Sequence, residues 1–357
     1  MIVFCYGTTA EAIKLAPVMH RLTRRGVPFQ QWVTLQQAGT VLDALPALGI
    51  PEPDQILAVG RSGRPLAGSV DVVVWLAQIA RWAVRNRRSL RRSLGKHSVV
   101  VVHGDTMTSV VGAVLAKFFR LDSAHVEAGL RSGDWRNPFP EELDRRIVGR
   151  LATVHYAPND LAAGHLRGRR NVVMTQGNTV VDAVLDGAHE VGAASDDPYG
   201  VLLLHRFEFL GNETFVRETL ARVLDGSPHR LVMVVDDLAR HALRDAVTGL
   251  PPDKVTIVDK MPHSEFSALL AGAAFVVTDS GGVQEETALL GIPALIHRRA
   301  TERNDGLGAN VLLSEWKLDT MDRFLRDFES YRREPLTLVV SPSDAVVDDL
   351  VSRGYGN

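Results

Sequence analysis

The sequence predicts an α/β protein built from two doubly wound parallel sheets. Short apolar runs alternate with longer amphipathic stretches along all 357 residues, as in strands followed by helices. Nearly every position in these runs is apolar, which indicates strands buried on both faces of a parallel sheet. The polar stretch 187–200 lacks this periodicity and contains Pro198, so we interpret it as a linker.

Two domains are predicted on either side of this linker. At about 150 residues per domain, the length of the chain favours two domains. We place an N-terminal Rossmann-like domain at residues 1–186 and a C-terminal Rossmann-like, nucleotide-binding domain at residues 199–340. Residues 341–357 are predicted to form a last helix.

The individual elements follow from the apolar and amphipathic runs. In the first half, strands are predicted at residues 2–6, 98–103, 124–126, 154–156 and 172–174, and helices at about 11–25 and 106–119. In the second half, strands are predicted at residues 201–204, 231–235, 255–258, 275–278 and 294–296, and a helix at 283–290.

The composition excludes several classes of protein. Hydrophobic residues make up 45% of the chain and charged residues 23%, which is ordinary for a globular protein. The chain has 40 Lys and Arg against 42 Asp and Glu, a formal net charge of −2. Proteins that bind nucleic acid or anionic membranes usually carry a basic excess. We therefore expect neither partner, and we interpret the six arginines of residues 81–92 as a solvated helix face.

The single cysteine and the lack of a long apolar segment exclude further kinds of site and indicate where the protein is located. Cys5 alone rules out a disulfide framework and a cysteine-rich metal site, and its apolar run indicates a buried thiol. The best membrane candidate, residues 268–277, is far shorter than the ~18 residues of a membrane span. The N-terminus has no basic segment or cleavage site, so a soluble, cytoplasmic protein is predicted.

A glycine-rich helix start indicates a nucleotide site in the second half. Ligands of doubly wound sheets bind beyond the carboxyl ends of the strands. After the predicted strand 275–278, Ser280 offers a hydroxyl donor, and Gly281 and Gly282 allow a ligand to approach the backbone. The helix N-terminus favours a diphosphate, and Glu286, one turn further, suits the hydroxyls of a ribose.

Three carboxylates follow predicted strands of the first half. Asp105 and Glu127 follow two strands, and Glu141 enters a helix that contains Arg145. Carboxylates at one rim of a partly dry cleft have shifted pKa values and can share proton transfer. The alternative is helix capping, which fits Asp105 because a helix follows it. Capping fits Glu127 poorly, because Ala-Gly follows it.

Cationic residues occur at other strand ends, and no metal site is indicated. Lys14 follows a glycine turn after the first strand, and His205 and Arg206 end the first strand of the second half, where a phosphate contact is natural. No grouping of His, Asp or Glu has the spacing of metal ligands. We expect neither a metal nor a cofactor.

Eight motifs in order along the chain carry a resemblance to a known family. They are GTTAEAIKLAPV (7–18), HGDTMTS (103–109), HVEAGLRSGDW (125–135), PEELDRR (140–146), QGNTVVDAV (176–184), HRFE (205–208), TDSGGVQEE (278–286) and TER (301–303). Together they resemble the UDP-N-acetylglucosamine 2-epimerase family of the non-hydrolysing bacterial type. The resemblance implies a GT-B-type fold, with two Rossmann-like domains facing across a cleft and the C-terminal helix packing back on the N-terminal domain.

The resemblance also implies an activity, a homodimer and roles for individual residues. The activity is the reversible inversion of carbon 2 that converts UDP-GlcNAc to UDP-ManNAc, through elimination of UDP, a 2-acetamidoglucal intermediate and re-addition of UDP. The residues implied as catalytic are Asp105, Glu127, Glu141, His205 and Lys14. The residues implied as substrate-binding are Arg145, Arg206, Phe266 (at the uracil), Ser280, Gly281, Gly282 and Glu286.

The chain departs from the family pattern at several motifs. The family's GTRPE is GTTAE here, so Thr9 replaces an expected phosphate-side arginine, unless it serves only to cap the following helix. The family's QHR is Gln37-Ala38-Gly39, a family histidine corresponds to Asp236 or Asp237, and the family's HRREN is HRFEF at residues 205–209. These departures imply either that activation at a second UDP-GlcNAc site is lost or that the substrate differs.

Three other functions stay open from the sequence. A hydrolysing 2-epimerase releases UDP and the free sugar, so it differs only in whether UDP adds back. A GT-B glycosyltransferase has the same nucleotide site but little need for three sugar-side carboxylates. A catalytically silent binding protein is disfavoured by the presence of Asp105, Glu127 and Glu141.

Overall fold

The computed structural model describes most of the chain and divides it into two units. The described residues are 1–37, 39–61, 63, 66, 68–95, 97–133, 139–188, 197–235, 239–240, 250–337 and 340–356. One unit is Met1–Ala183 together with Val339–Asn357, and the other is Val184–Leu338. Most of the predicted linker, residues 189–196, lies outside the described residues. Among the described helices, none is long and apolar enough to cross a membrane.

A seven-stranded parallel sheet forms the centre of the first unit, in the order β3-β2-β1-β4-β5-β6-β7. The strands are β1 (Ile2–Tyr6), β2 (Phe29–Val33), β3 (Gln55–Ile56), β4 (Val99–His103), β5 (Asp122–Val126), β6 (Val154–Ala157) and β7 (Val172–Met174). The helices are α1 (Thr9–Arg24), α2 (Thr40–Ala44), α3 (Ser69–Ser93), α4 (Met107–Phe119), α5 (Glu141–Leu151), α6 (Asp160–His165) and α7 (Val180–Ala188).

Helices cover both faces of this sheet. Phe4 of β1 packs into a core shared with α1, whereas its neighbour Cys5 faces a second core shared with α3 and α4. All positions of β1 and β4 are buried, and all but His103 at the end of β4 are apolar, as is typical of parallel strands covered on both faces.

A six-stranded parallel sheet forms the centre of the second unit, in the order β10-β9-β8-β11-β12-β13. The strands are β8 (Tyr199–Leu203), β9 (Arg230–Val235), β10 (Val255–Asp259), β11 (Phe275–Thr278), β12 (Ala294–Ile296) and β13 (Val311–Leu313). The helices are α8 (Phe207–Leu210), α9 (Glu213–Gly226), α10 (His263–Ala271), α11 (Gly281–Leu290) and α12 (Leu318–Asp327), followed by a 3₁₀ turn at Phe328–Tyr331.

The C-terminal helix belongs to the first unit. This helix, α13 (Pro342–Ser352), buries Val346 and Leu350 in the core that α1 shares with β1. Asp344 accepts from Arg21 Nε at 3.2 Å and from Arg25 Nη2 at 2.9 Å. Helix α13 is therefore attached to α1 by both apolar packing and ion pairs.

The strand order of each sheet reverses at one point. In the first unit the reversal lies between β1 and β4, and in the second it lies between β8 and β11. Loops that leave adjacent strands in opposite directions at such a switch point open a crevice, where doubly wound proteins bind their ligands. The loops after β1, β4, β8 and β11 therefore flank these two crevices.

The α/β prediction is confirmed, and several element boundaries differ from the prediction. β2, β3 and β13 were not predicted. In β2 two glutamines interrupt the apolar run, and Gln31 is buried because Tyr6 Oη donates to its Oε1 at 2.6 Å and its Nε2 donates to Pro51 O at 3.0 Å. Helices α1 and α11 each begin two residues earlier than predicted, at Thr9 and Gly281.

Candidate active site

The loop after β1 leads into α1 through a reciprocal cap. Thr8 Oγ1 accepts from Glu11 N at 3.2 Å, and the Glu11 carboxylate accepts from Gly7 N and Thr8 N at 3.0 Å each. This is a capping box. The prediction that Thr9 caps the helix is wrong, because Thr8 holds that position and Thr9 is the first helical residue.

The carboxylate of Glu11 connects this loop to the loop after β4. Thr106 Oγ1 donates to Glu11 Oε1 at 2.7 Å. Burial raises the pKa of Glu11 to about 7, although its hydrogen bonds oppose the shift. Thr106 is also the N-cap of α4, since its Oγ1 accepts from Ser109 N at 3.1 Å. The capping alternative for Asp105 is therefore wrong.

Glu127 lies at the end of β5, paired with a lysine. Glu127 Oε2 is 2.8 Å from Lys14 Nζ on α1 and 3.2 Å from His103 Nε2 at the end of β4. Burial lowers the pKa of His103 to about 3, so its ring is neutral at pH 7. Glu127 has φ of +67°, a conformation that costs a non-glycine residue about 1 kcal/mol or more and that often occurs at functional sites.

Asp105 pairs with Arg145 of α5, and a second carboxylate holds that arginine in place. Arg145 Nη2 donates to Asp105 Oδ2, and Arg145 Nη1 lies 3.3 Å from Glu142 Oε2. Glu142 is fully buried and also pairs with Arg146 Nε at 3.0 Å. Sequence reasoning missed Glu142 as a site residue, although it follows Glu141 directly in the PEELDRR motif.

Two further carboxylates lie in the first turn of α5. Glu141 Oε2 and Asp144 Oδ2 are buried, and neither has a hydrogen-bond partner among the described residues. Asp144 was not predicted as a site residue. The structure thus joins Lys14 to Glu127 and Asp105 to Arg145, and it places Glu141 one helical turn from Arg145.

In the second unit a buried aspartate joins the loops after β8 and β11. Asp279 is 1% exposed. Its carboxylate accepts from His205 N at 3.1 Å and from Arg206 N at 2.8 Å, and Arg206 Nε donates to Asp279 O at 3.1 Å. His205 and Arg206 are therefore fixed at the switch point by Asp279. Sequence reasoning overlooked Asp279, whose only signal is an acid at the carboxyl end of a strand.

Ser280 and the two glycines begin α11, and the glycines differ in their surroundings. Ser280 is the N-cap, and its Oγ accepts from Val283 N at 3.5 Å. A Cβ on Gly281 would lie 2.6 Å from Arg303 Nε, whereas a Cβ on Gly282 would meet nothing closer than 3.9 Å. Packing inside the protein explains Gly281, and only Gly282 has open space beside it.

The loop that contains Arg303 is held by α11. Glu285 pairs with Arg303 Nη1, and Gln284 Nε2 donates to Arg303 O at 3.2 Å. Thr301 Oγ1 donates to Gln284 Oε1 at 2.8 Å. The TER segment is therefore positioned by polar side chains of α11, which are buried because they face this loop.

Glu286 faces α10 from the middle of α11. Its carboxylate lies 3.2 Å from His263 Nε2 and accepts from Ser267 Oγ at 3.5 Å. Phe266 is half-buried on the same helix, α10, in the apolar cluster of this half of the sheet. Glu286 and Phe266 therefore belong to neighbouring helices beside the α11 N-terminus, while Asp236 and Asp237 lie outside the described residues.

Comparisons with known proteins identify the family. The family model described as UDP-N-acetylglucosamine 2-epimerase matches residues 78–322. The UDP-N-acetylglucosamine 2-epimerase of Bacillus subtilis is 32% identical over 86% of this chain and 81% of its own. A putative UDP-N-acetylglucosamine 2-epimerase of Thermotoga maritima is 31% identical over 94% of this chain and 91% of its own.

The chain belongs to the UDP-N-acetylglucosamine 2-epimerase family. Solved structures agree with this assignment. The UDP-GlcNAc 2-epimerase of Methanocaldococcus jannaschii has a TM-score of 0.81 at 24% identity, over 98% of this chain and 99% of its own. A structure described as S. aureus MnaA with UDP has a TM-score of 0.78 at 26% identity, over 97% and 94%. The family's GT-B-type fold, with two Rossmann-like sheets, is the fold of this chain.

Replacing Gly281 or Gly282 of α11 by alanine should affect the stability of the protein differently. Gly281→Ala should lower the free energy of unfolding by about 1–3 kcal/mol, the usual cost of overpacking, because Glu285 holds Arg303 against the new methyl group. Gly282→Ala should leave stability unchanged or raise it by up to ~1 kcal/mol, since alanine favours helix over glycine. Urea unfolding of the two variants checks this, and equal midpoints would contradict it.

Proposed function

We propose that the protein catalyses the reversible epimerisation of UDP-GlcNAc to UDP-ManNAc at carbon 2. Family membership supports this proposal, since the relatives are named for that reaction. Related structures are described in complex with UDP-GlcNAc and UDP and with UDP. The observation that carries it is a set of two ion pairs beyond the carboxyl ends of β4 and β5, the buried pair of Glu127 with Lys14 and the partly buried pair of Asp105 with Arg145.

The reaction consists of an elimination followed by an addition. A base takes the proton from carbon 2 while the bond between carbon 1 and the UDP oxygen breaks, and the electron pair leaves with UDP. The product is 2-acetamidoglucal, with a double bond between carbons 1 and 2. UDP then adds back to carbon 1, and an acid protonates carbon 2 from the opposite face. Asp105, Glu127 and Glu141 supply the base and the acid in this proposal.

The other site residues hold the substrate in the same proposal. Arg145 orients Asp105, and Lys14 stays beside Glu127. His205 and Arg206 face the phosphates, and Gly282 leaves backbone open to them at the N-terminus of α11. The residues expected at the phosphates and the ribose are Ser280, Gly281 and Glu286, and Phe266 is expected at the uracil. The proposal invokes no cofactor or metal.

Proton NMR of UDP-GlcNAc incubated with the enzyme in deuterium oxide tests the reaction. The carbon 2 proton is exchanged with solvent in the elimination, so we expect deuterium at carbon 2 and the appearance of UDP-ManNAc. Free ManNAc together with UDP would instead identify a hydrolysing 2-epimerase. An unchanged spectrum would contradict both reactions and favour transfer to an acceptor or another substrate.

Replacing the carboxylates should remove turnover and leave nucleotide binding intact. Asp105→Asn and Glu127→Gln preserve shape but remove the proton acceptor, so kcat should fall by at least about 100-fold, while the Kd for UDP changes less than about threefold. Steady-state kinetics and calorimetry measure the two quantities. Asp160→Asn, an exposed aspartate at the start of α6, is the control. Near-normal turnover in both variants would exclude these carboxylates from the chemistry.

A homodimer is the assembly that the family resemblance implies, and α3 offers a surface for it. Val70, Val73 and Val84 are 60%, 64% and 67% exposed, and with the exposed Ala77 and Ala80 they repeat at alternating spacings of three and four. Such a seam suits an equivalent helix of a second copy.

Val73→Glu should convert this dimer to a monomer, because it places a charge in the apolar seam. Sedimentation velocity measures the change. Leu161→Glu, which alters an exposed leucine of α6, is the control and should remain dimeric. A wild-type monomer, or a Val73→Glu dimer, would exclude α3 as the interface.

A further inference from the structure

Three carboxylates lie in the first turn of α5, those of Glu141, Glu142 and Asp144. Among the described residues, only Glu142 of these three forms ion pairs. Glu142 is fully buried among arginines, with Arg145 Nη1 at 3.3 Å and Arg146 Nε at 3.0 Å. The other end of the Arg145 guanidinium pairs with Asp105. Glu142 and Asp105 therefore have cationic partners, while Glu141 and Asp144 form no ion pair among the described residues.

Glu141 and Asp144 each leave a buried oxygen without a donor. These oxygens are Glu141 Oε2 and Asp144 Oδ2, and Asp144 as a whole is 7% exposed. Residues three apart lie on one face of a helix, so the two carboxyl groups are neighbours. A buried polar atom without a partner costs about 1–3 kcal/mol, and native proteins rarely keep one unless a ligand or a proton satisfies it.

We propose that Asp144 is a further substrate-binding residue of the sugar site, where its carboxyl group donates a hydrogen bond to an oxygen of the bound sugar beside Glu141. This inference rests on the proposed function, which places the sugar at Asp105, Glu127 and Glu141. A GlcNAc unit offers both kinds of group: hydroxyls that donate to the Glu141 carboxylate, and hydroxyl or acetamido oxygens that accept from a carboxylic acid.

The surroundings of Asp144 favour the protonated form of its carboxyl group. Burial, followed by the negative charges of Asp105 and Glu141, raises the pKa of Asp144 to about 7. α4 packs against α5 and has one charged side chain, the exposed Lys117. Among the described residues of β5 and the loop after it, the ionisable groups are Asp122, His125, Glu127 and Arg131.

Substrate binding should therefore be coupled to protonation of Asp144. Binding of an anionic sugar nucleotide removes the remaining water from the carboxyl group and favours its neutral form. The protonated fraction of a group with a pKa of about 7 falls roughly tenfold between pH 6 and pH 8. The affinity for UDP-GlcNAc should fall by the same factor, and at pH 8 binding should take up close to one proton.

Calorimetric titration with UDP-GlcNAc at pH 6 and pH 8, in buffers of low and high ionisation enthalpy, tests the proposal. Wild type should bind about tenfold more weakly at pH 8 and take up a proton there. Asp144→Asn keeps a donor but cannot ionise, so it should bind with similar affinity at both pH values and take up no proton. Asp144→Ala should lose about tenfold in affinity for UDP-GlcNAc and almost none for UDP, which lacks the sugar.

The controls separate this inference from the proposed function. Asp160→Asn should behave as wild type does. If wild type fails to bind UDP-GlcNAc, the proposed function and the inference both fall. If wild type binds and turns it over but Asp144→Asn keeps the wild-type pH dependence and proton uptake, only the role of Asp144 is overturned. Because Asp144→Asn is nearly isosteric, it decides the outcome even if Asp144→Ala does not fold.

Discussion

The buried carboxylate of Glu142 constrains the side chains around it at the carboxyl end of the first sheet. A carboxylate with no exposure is costly unless cations and donors surround it, and Arg145, Arg146 and the backbone N–H of Ser132 do so. Arg145 has a planar guanidinium with donors on two edges, so the edge turned away from Glu142 meets Asp105. The position of the Asp105 carboxylate is thereby set from α5 as well as from its own loop.

Buried acids also hold residues in place in the second unit. Asp279 lies buried at the carboxyl end of β11, and its carboxylate accepts hydrogen bonds from the backbone N–H groups of His205 and Arg206. Glu285 holds Arg303 against Gly281. In both units a buried acid therefore holds neighbouring residues in place through ion pairs and hydrogen bonds.

The segment that carries Thr9 contacts the segment that carries Gln37. Thr9 N donates to Gln37 Oε1 at 3.2 Å, so the GTTAE segment and the segment that replaces QHR meet at this edge of the sheet. Thr9 does not cap α1, because Thr8 and Glu11 form the cap. Gln37 is the glutamine that the chain shares with the family's QHR, so Thr9, at the position of the family's arginine, contacts a residue that the chain keeps.

The sequence by itself determined the α/β class, the two sheets and the motifs at the strand ends, because apolar periodicity and turn residues are local signals. It did not predict β2, since Gln31 is buried through partners distant in the chain. Only the tertiary structure decided which charges pair: Lys14 with Glu127, 113 positions apart, and Arg145 with Asp105, 40 positions apart. The tertiary structure also distinguished the tightly packed Gly281 from Gly282, and it showed that Asp144 is buried with a raised pKa. The physical reason is that burial, electrostatic pairing and close packing depend on residues that the fold brings together from far along the chain.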